Sequence, residues 1–564
     1  IDWPSDALVV CSFGDASANH STAVGAINTA CHCAHTRLPL PLLFVCEDNG
    51  IGISVRTPGG WIEAAYGDRT GLRYAAADGA DPAALFATAT ELAEWVRTNR
   101  RPAFLHLRTV RFLGHAGSDV EAGYRTPDEI RRDYPRDPIV GTARMVIEAG
   151  LAHPDEVIAR SEAVRHRVRD AALGMVGAAQ LPDAGAVMAP LSPRSPDRVA
   201  DLAARTAPTD RRATWFGKTL PEDEGPMTLA QSINRTLADL LLLEPRIVIF
   251  GEDVAVKGGV YGVTRGLASK AGVARVFDTV LDEQSILGLA LGAGVSGLVP
   301  IPEIQYLAYL HNAEDQLRGE AASLSFFSQG QYRNGMVIRI QGYGYQKGFG
   351  GHFHNDNAVA VLRDIPGIVV ASPARGADAA AMLRTCASAA AVDGTVCVFL
   401  EPIALYATPD LHDPGDGEWL DAYAPPAEWV ATHVPIGAPR VYGDGGDLAV
   451  ITWANGLHMS LRVARQLAAD GIACRVLDLR WLSPLPIDAI VLHANEVGRV
   501  LVVDETRAAG GVGEGIVSGL VEAGFGGRIR RVASQDTFIP LGDAALHVML
   551  DEPTIAHAAR ELMA

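Results

Sequence analysis

Apolar residues along this chain gather in short unbroken runs and do not alternate with polar ones. Ala7–Phe13, Leu42–Cys46, Arg246–Phe250, Met336–Ile340, Ile368–Ala371, Val396–Leu400, Leu448–Thr452, Ala473–Leu477 and Arg499–Val503 are the clearest. Continuous runs rich in Val, Ile and Leu predict strands buried on both faces, as in parallel sheets. Their alternation with segments of helical periodicity predicts an α/β fold. Several runs end on acidic or polar turns: Gly14-Asp15, Glu47-Asp48-Asn49-Gly50 and Gly251-Glu252-Asp253. Open α/β sheets place their sites at such strand ends.

The pattern breaks twice. From about Thr142 to Pro226 the strand runs vanish, and an Ala- and Arg-rich stretch gives way to a Pro-rich one (APLSPRSPD, TLPEDEGP). This predicts a helical tail and then a linker. The second break, Thr408–Gly446, is dense in Pro, Gly and Asp. The expected blocks are therefore 1–150, 151–226, 227–425 and 426–564, the first and third both reading as strand, acidic turn, helix.

Composition adds limits. At 564 residues the chain is too long for a single small module, since domains average about 150 residues. Its net charge of −18 disfavours general nucleic-acid binding and adsorption to anionic membranes. The seven cysteines are odd in number and sparse, which predicts a reduced, cytoplasmic setting. No run reaches the ~18 apolar residues of a membrane span, and no signal peptide is visible. The chain begins at Ile1, which reads as a processed or truncated start.

Three constellations carry candidate chemistry. Asp15 and Asn49 follow successive strands and offer two oxygen donors, a set suited to Mg²⁺. The bland alternative is that they are helix caps or turn formers. Arg111–Asp119 and Tyr124–Pro127 form a polar loop before a helix that Thr126 and Glu129 would cap. The third constellation comprises FGEDVAVKGGVYGVTRGL, VFDTVLDEQSILG, PIPEIQYLAYLHNAEDQ, GGHFHNDNAV and VFLEPIALY. Taken singly, Glu283 reads as an acid near a helix start, Tyr309 as a core aromatic, and His352 and His354 as loop histidines. Three patterns are decoys. Cys31, His32, Cys33 and His35 lie in an expected helix, where only Cys31 and His35 share a face. Gly292, Gly294 and Gly297 follow a helix and precede a strand, the wrong order for a dinucleotide turn. Gly510–Gly515 follows a strand, but within a block of different character.

Taken together, the motifs resemble the thiamine-diphosphate-dependent 2-oxo acid dehydrogenase decarboxylases, with an α-type and a β-type subunit fused head to tail. GDASANHS…CEDNGIGIS resembles the α-type cofactor motif, with Ala16 and Asp48 in place of its last Gly and first Asn. The resemblance implies thiamine diphosphate and Mg²⁺, the metal held by Asp15, Asn49 and the carbonyl of Ile51, with Ala16 in the cofactor-binding turn. Arg111 matches the residue that reaches the diphosphate, and His115 the loop histidine at the reaction centre. Positions where family members carry regulatory phosphoserines read Ala116 and Gly123, which excludes that regulation there, while Ser118 remains.

The third constellation resembles the β-type subunit, closest to the branched-chain (2-oxoisovalerate) class. Glu283 matches the carboxylate that hydrogen-bonds the pyrimidine ring, Tyr309 the aromatic that packs on it, and His354 the active-site histidine. Asn355-Asp356 replace the usual Ser-Gln, and His352 is a substitute candidate. Residues 426–564 resemble the transketolase C-terminal domain, with Asp504-Glu505 where His-Glu is usual.

The implied fold is two doubly wound parallel-sheet domains of the thiamine-diphosphate-binding type plus a transketolase C-terminal-like α/β domain. The implied function is oxidative decarboxylation of a 2-oxo acid with acyl transfer to a lipoyl domain. The partner would be a dihydrolipoyl acyltransferase component, and the assembly a homodimer of fused chains. A transketolase-type or acetoin-cleaving enzyme on this scaffold, or a cofactor-free inactive form, are the alternatives. Family α-type subunits carry a further stretch before the GD motif, so this form is expected to bind thiamine diphosphate weakly or not at all.

Overall fold

The computed structural model describes residues 3–191 and 194–564, so Ile1-Asp2 and, in the Pro-rich linker, Ser192-Pro193 lie outside the described residues. The chain divides into two compact units, Ile1–Pro182 and Asp183–Ala564.

The first unit is built on a four-stranded sheet: β1 (Val9–Gly14), β2 (Leu42–Asp48), β3 (Arg73–Asp78) and β4 (Ala103–Arg108). The spatial order is β1-β2-β4-β3, and every pairing is parallel. Helices α1 (Ser21–His35) and α2 (Pro82–Asn99) are among its connections. Asp81 caps α2 by accepting from the amides of Ala83 and Ala84, ahead of Pro82, which needs no donor there. Phe44, Phe104 and Tyr66 fill one face, with Tyr66 stacked on Phe104 at 4.9 Å. Leu43, Leu92, Val96 and Leu105 fill the other. Cys31 is buried in this core, whereas His32 and His35 on the same helix are exposed. Among the described residues no cluster of three His, Cys, Asp or Glu stands in a metal-holding arrangement.

One expectation fails here. Ala7–Phe13 reads as a strand buried on both faces, but β1 is the edge strand, with Val9 55% and Val10 57% exposed. A continuous apolar run tells how a strand wants to be covered, not whether the described chain covers it. Beyond the sheet the unit continues as two helices, α3 (Pro138–Glu148) and α4 (Pro154–Gly174), neither with a buried residue. The 151–226 segment is thus shared between the units. Its later part contributes α5 (Pro196–Ala203), whose Val199 and Ala203 are buried in the second unit.

The second unit holds two sheets. The first contains β5 (Ile247–Gly251), β6 (Val276–Asp278), β7 (Val299–Ile304), β8 (Met336–Gly342), β9 (Val369–Ala371) and β10 (Val396–Pro402). Its order is β9-β10-β8-β7-β5-β6, all parallel, with Trp481–Ser483 added antiparallel on the β9 edge. Helices α6 (Leu229–Leu243), α7 (Glu283–Val295) and α8 (Gly376–Asp393) accompany it. At the sheet's centre Arg339 is fully buried. Its guanidinium donates to Glu401 at 2.6 and 2.8 Å and to Glu303 at 2.6 Å, tying three strands together. Of the Gly292-to-Gly297 pattern, Gly294 backs closely onto the Asn334 backbone, Gly292 faces open space, and Gly297 takes a left-handed φ of +89°.

The second sheet contains β11 (Arg440–Tyr442), β12 (Leu448–Thr452), β13 (Cys474–Asp478), β14 (Arg499–Arg507) and β15 (Arg528–Ser534). Its order is β11-β13-β12-β14-β15, with only β11 antiparallel. The Gly510–Gly515 turn leads into α9 (Val512–Glu522), and its Gly513 amide is taken by the Asp504 carboxylate at 2.6 Å. The fold is α/β throughout. No helix among the described residues is long and apolar enough to cross a membrane.

Two acids in this region are buried without a full counter-charge. Asp478 is pushed up to about 8 by burial and by neighbouring Asp378, and Glu505 to about 8 by burial. A carboxyl raised in the folded state contributes stability that is lost as pH rises through its folded value. Urea unfolding followed by tryptophan fluorescence should therefore show a stability loss that runs from about pH 4, the ordinary carboxylate value, to about pH 8 and levels off above it. Asp478→Asn should remove part of that slope, by on the order of a few kcal/mol. Parallel slopes for wild type and variant would refute the assignment.

Candidate functional site

Parallel pairing of β1 with β2 sets Gly14 opposite Glu47, so the residues after both strands meet at one edge. Asp15 is only 1% exposed there; its Oδ1 accepts from the Asn49 amide at 3.4 Å, while Oδ2 is buried and has no partner. The Asn49 side chain accepts from the Ile51 amide at 3.2 Å, and the Asp48 carboxylate from the Gly50 amide at 2.9 Å. Gly50 has φ +76°, the left-handed conformation that turns the chain back. Ile51–Gly52 then pairs antiparallel with Val55–Arg56. The Ala16 methyl stands against Gly52, where any Cβ would collide with it. The last residue of the motif is thus accommodated by a glycine across the turn.

Arg111 reaches the same segment. Its guanidinium donates to the Ile53 carbonyl at 2.8 Å and to the Tyr124 hydroxyl at 2.7 Å, leaving Nε buried and unpartnered. The Tyr124 hydroxyl donates to Asp119 at 2.5 Å, and Asp119 also accepts the His115 amide at 2.6 Å. The Tyr124 hydroxyl, followed by the His115 N–H, holds the Asp119 carboxyl below its usual range. The structure thus gathers Asp15, Ala16, Asn49, Ile51 and Arg111. It places His115 on the attached loop with its side chain exposed.

In the second unit a different edge collects Glu283, Tyr309 and His354. Glu283 is the first residue of α7. The cap is supplied by Asp282, which accepts from the Ser285 amide at 3.2 Å and its hydroxyl at 2.5 Å. Glu283 is thereby freed from capping; it is 9% exposed and accepts from the Asn312 amide group at 2.9 Å. His354 lies edge-on to Tyr306 with centroids 4.9 Å apart, and 6.4 Å from Tyr309. His352 instead packs on Phe353 and Phe538. Asn355 staples the histidine's loop, bonding the Gly350 amide and the Gly344 and Gln346 carbonyls, each at 2.9 Å. Asp356 accepts from Arg507 at 2.8 Å.

Sequence reasoning passed over Glu252, Asn312, Tyr306 and Tyr261. The Tyr261 hydroxyl donates to Tyr306 at 2.9 Å. Glu252 directly follows β5 in the acidic turn Gly251-Glu252-Asp253, and that position at a parallel strand tip was its signal. Its Oε1 is buried and unpartnered, and burial, then the charge of Glu283, pushes its carboxyl up to about 7. The site therefore holds two acids close in space, one of which binds a proton near neutrality.

Comparisons with known proteins match three stretches. Residues 4–178 match the dehydrogenase E1 component family, residues 225–407 the transketolase pyrimidine binding domain, and residues 437–555 the transketolase C-terminal domain. The pyruvate dehydrogenase E1 component subunit beta of Bacillus subtilis is 32% identical over 345 residues, 60% of this chain and 98% of the relative. That of Staphylococcus aureus (strain Mu50 / ATCC 700699) is 33% identical over the same lengths. A solved split-gene transketolase, an inactive β4 tetramer, aligns with TM-score 0.47 at 20% identity, over 60% of this chain and 98% of its own.

The raised Glu252 carboxyl has a spectroscopic signature. Wild type minus Glu252→Gln infrared difference spectra should show a protonated carboxyl band at about pH 6 that fades with a midpoint at about 7. A difference spectrum without that band on the acid side would rule the assignment out.

Proposed function

This chain belongs to the thiamine-diphosphate-dependent 2-oxo acid dehydrogenase family, with an α-type E1 domain fused to β-type pyrimidine-binding and C-terminal domains, and from that premise we propose how its residues serve the reaction. The unpartnered, buried Oδ2 of Asp15 carries the reading. A lone carboxylate oxygen in such a place calls for a cation, and the donors around it are hard oxygens. Asp15, the Asn49 side chain and the Ile51 carbonyl would hold Mg²⁺ and through it the diphosphate. Arg111, with its free Nε, would face the anion, and Ala16 would line the turn.

Thiamine diphosphate, when bound, supplies the electron sink that accepts the pair left by departing CO₂. The chain's own part is positioning and proton handling. Glu283, held by Asn312, would hydrogen-bond the pyrimidine ring and keep a proton at that edge, with Tyr309 packed alongside. His115 and His354 would manage protons and place the lipoyl group that receives the acyl unit. The substrate is a 2-oxo acid, and the likeness of GEDVA–GGV, L-x-EQ-x-I-x-G and EIQ to the branched-chain class favours 2-oxoisovalerate. Pyruvate is the second reading, favoured by the names of the relatives. A dihydrolipoyl acyltransferase component would be the partner, docking on residues 426–564, and the working assembly a homodimer of fused chains.

Two experiments test this. CO₂ release from 2-oxoisovalerate, pyruvate and acetoin, with ferricyanide as acceptor, should be highest for 2-oxoisovalerate. Glu283→Gln should lower that turnover by roughly 10²–10⁴-fold, the usual worth of a positioned acid–base group. Turnover of acetoin alone, or an undiminished variant, would sink the proposal. Calorimetry of Asp15→Ala should show Mg²⁺-dependent thiamine diphosphate affinity reduced at least about tenfold. Equal affinity would remove Asp15 from the metal site.

A further inference from the structure

Asp48 stands beside the two candidate side-chain ligands of the cation, yet both of its oxygens are engaged. Oδ1 accepts the Gly50 amide at 2.9 Å, and Oδ2 meets Nε2 of His106 at 2.9 Å. His106 is on β4, 5% exposed, in register with Cys46 of β2 and Ala76 of β3. Its other nitrogen, Nδ1, lies 2.7 Å from the hydroxyl of Tyr74 on β3. Three neighbouring strands thus carry one hydrogen-bonded chain that ends on the turn holding Asn49 and Ile51.

The chemistry of the groups fixes its direction. A carboxylate only accepts, so Nε2 must carry the hydrogen. In the neutral ring Nδ1 then accepts, and the Tyr74 hydroxyl donates to it. We infer that Tyr74 and His106 are positioning residues for the divalent-cation and diphosphate site. Their relay ties down the Asp48 carboxylate, so that Asp48 shapes the turn and leaves Asp15 and Asn49 as the side-chain donors. The inference rests on the reading that Asp15 and Asn49 hold Mg²⁺.

The relay behaves as a unit, and two near-isosteric changes expose this. In Asp48→Asn the new amide donates to Nε2, the ring moves its hydrogen to Nδ1, and the Tyr74 oxygen accepts it. In Tyr74→Phe the original direction survives and one donor is lost. With both changes no direction satisfies the ring. Either Nδ1–H is orphaned, or the side-chain amide introduced by Asp48→Asn flips and gives up the Gly50 amide. The pair should therefore be strongly non-additive.

The test is a double-mutant cycle on the full chain, titrated by calorimetry with thiamine diphosphate up to millimolar concentration in excess Mg²⁺. Each single variant should bind within about threefold of wild type. The double variant should be weaker than the product of the singles by at least tenfold, about 1.4 kcal/mol of coupling. ¹⁵N spectra of the labelled imidazoles supply a readout that a merely structural role would leave unmoved: hydrogen on Nε2 of His106 in wild type, on Nδ1 in Asp48→Asn. Binding by wild type with additive losses, or an unchanged tautomer, overturns the relay and leaves the metal reading intact. Absence of Mg²⁺-dependent binding by wild type at millimolar cofactor overturns the metal reading itself, and the relay's purpose with it.

Discussion

The parallel pairing of β1 with β2 is the constraint on which the cation site depends. It brings two strand ends to one edge, so residues thirty-four positions apart in sequence, Asp15 and Asn49, become hydrogen-bonded neighbours. An antiparallel pairing would send those ends to opposite edges of the sheet. The same logic repeats in the second unit, where the parallel strand β5 delivers Glu252 to the edge at which α7 begins with Glu283. In each unit the framework below the edge is apolar and stiff, and the polar groups stand where the strands stop.

Burying so many acids works against stability, and the structure answers in two ways. In the middle of the first sheet of the second unit, Arg339 is shared by Glu303 and Glu401, with Tyr406 donating to Glu401, while burial raises the Glu303 carboxyl. Removing one partner from such a set leaves an uncompensated buried charge. At Glu252, Asp478 and Glu505 the balance is struck by protonation instead, because burial and like charge raise the carboxyls toward neutral pH. The first solution suits a framework, since the pair stays fixed. At Glu252 the second serves a site, since a proton held near neutrality is exchangeable.

The strands legible in the sequence are those whose apolar runs are unbroken, such as Met336–Ile340 and Val396–Leu400. Those that escaped carry contrary local signals. Val299–Ile304 contains Pro300 and Pro302, which read as breakers, yet its ladder to β8 begins only at Glu303, past both prolines. Arg528–Ser534 is rich in arginine because it is an edge strand that faces water. The site was legible where a motif places ligand side chains at a strand end, as with Asp15, Asn49 and Glu283. It was not legible where the partner comes from a distant element with ordinary local sequence. Asn312 lies in a short helical turn, and His106 and Tyr74 sit inside strands. Nothing near them in sequence marks Glu283 or Asp48 as their targets, which only the register of the sheets supplies.

Adjacent polar pairs recur at these sites, and the division of labour within them explains why. Asp282 caps α7 so that Glu283, one residue on, needs no backbone partner and turns to Asn312. Asp48 binds the Gly50 amide and His106, while the Asn49 backbone amide donates to Asp15 and its side chain accepts from the Ile51 amide. Asp504 accepts the Thr506 and Gly513 amides, while Glu505 takes Asn455 through both its backbone and its side chain. A strand end or helix start leaves amides unpaired, and a site there must satisfy them before it can offer a free oxygen. The first residue of each pair meets much of that demand; Asn49 and Glu505 each take one further amide, from Ile51 and Asn455, and Glu283 bonds the Asn312 side chain. A lone acid at any of these positions would be drawn into the backbone and lost as a donor.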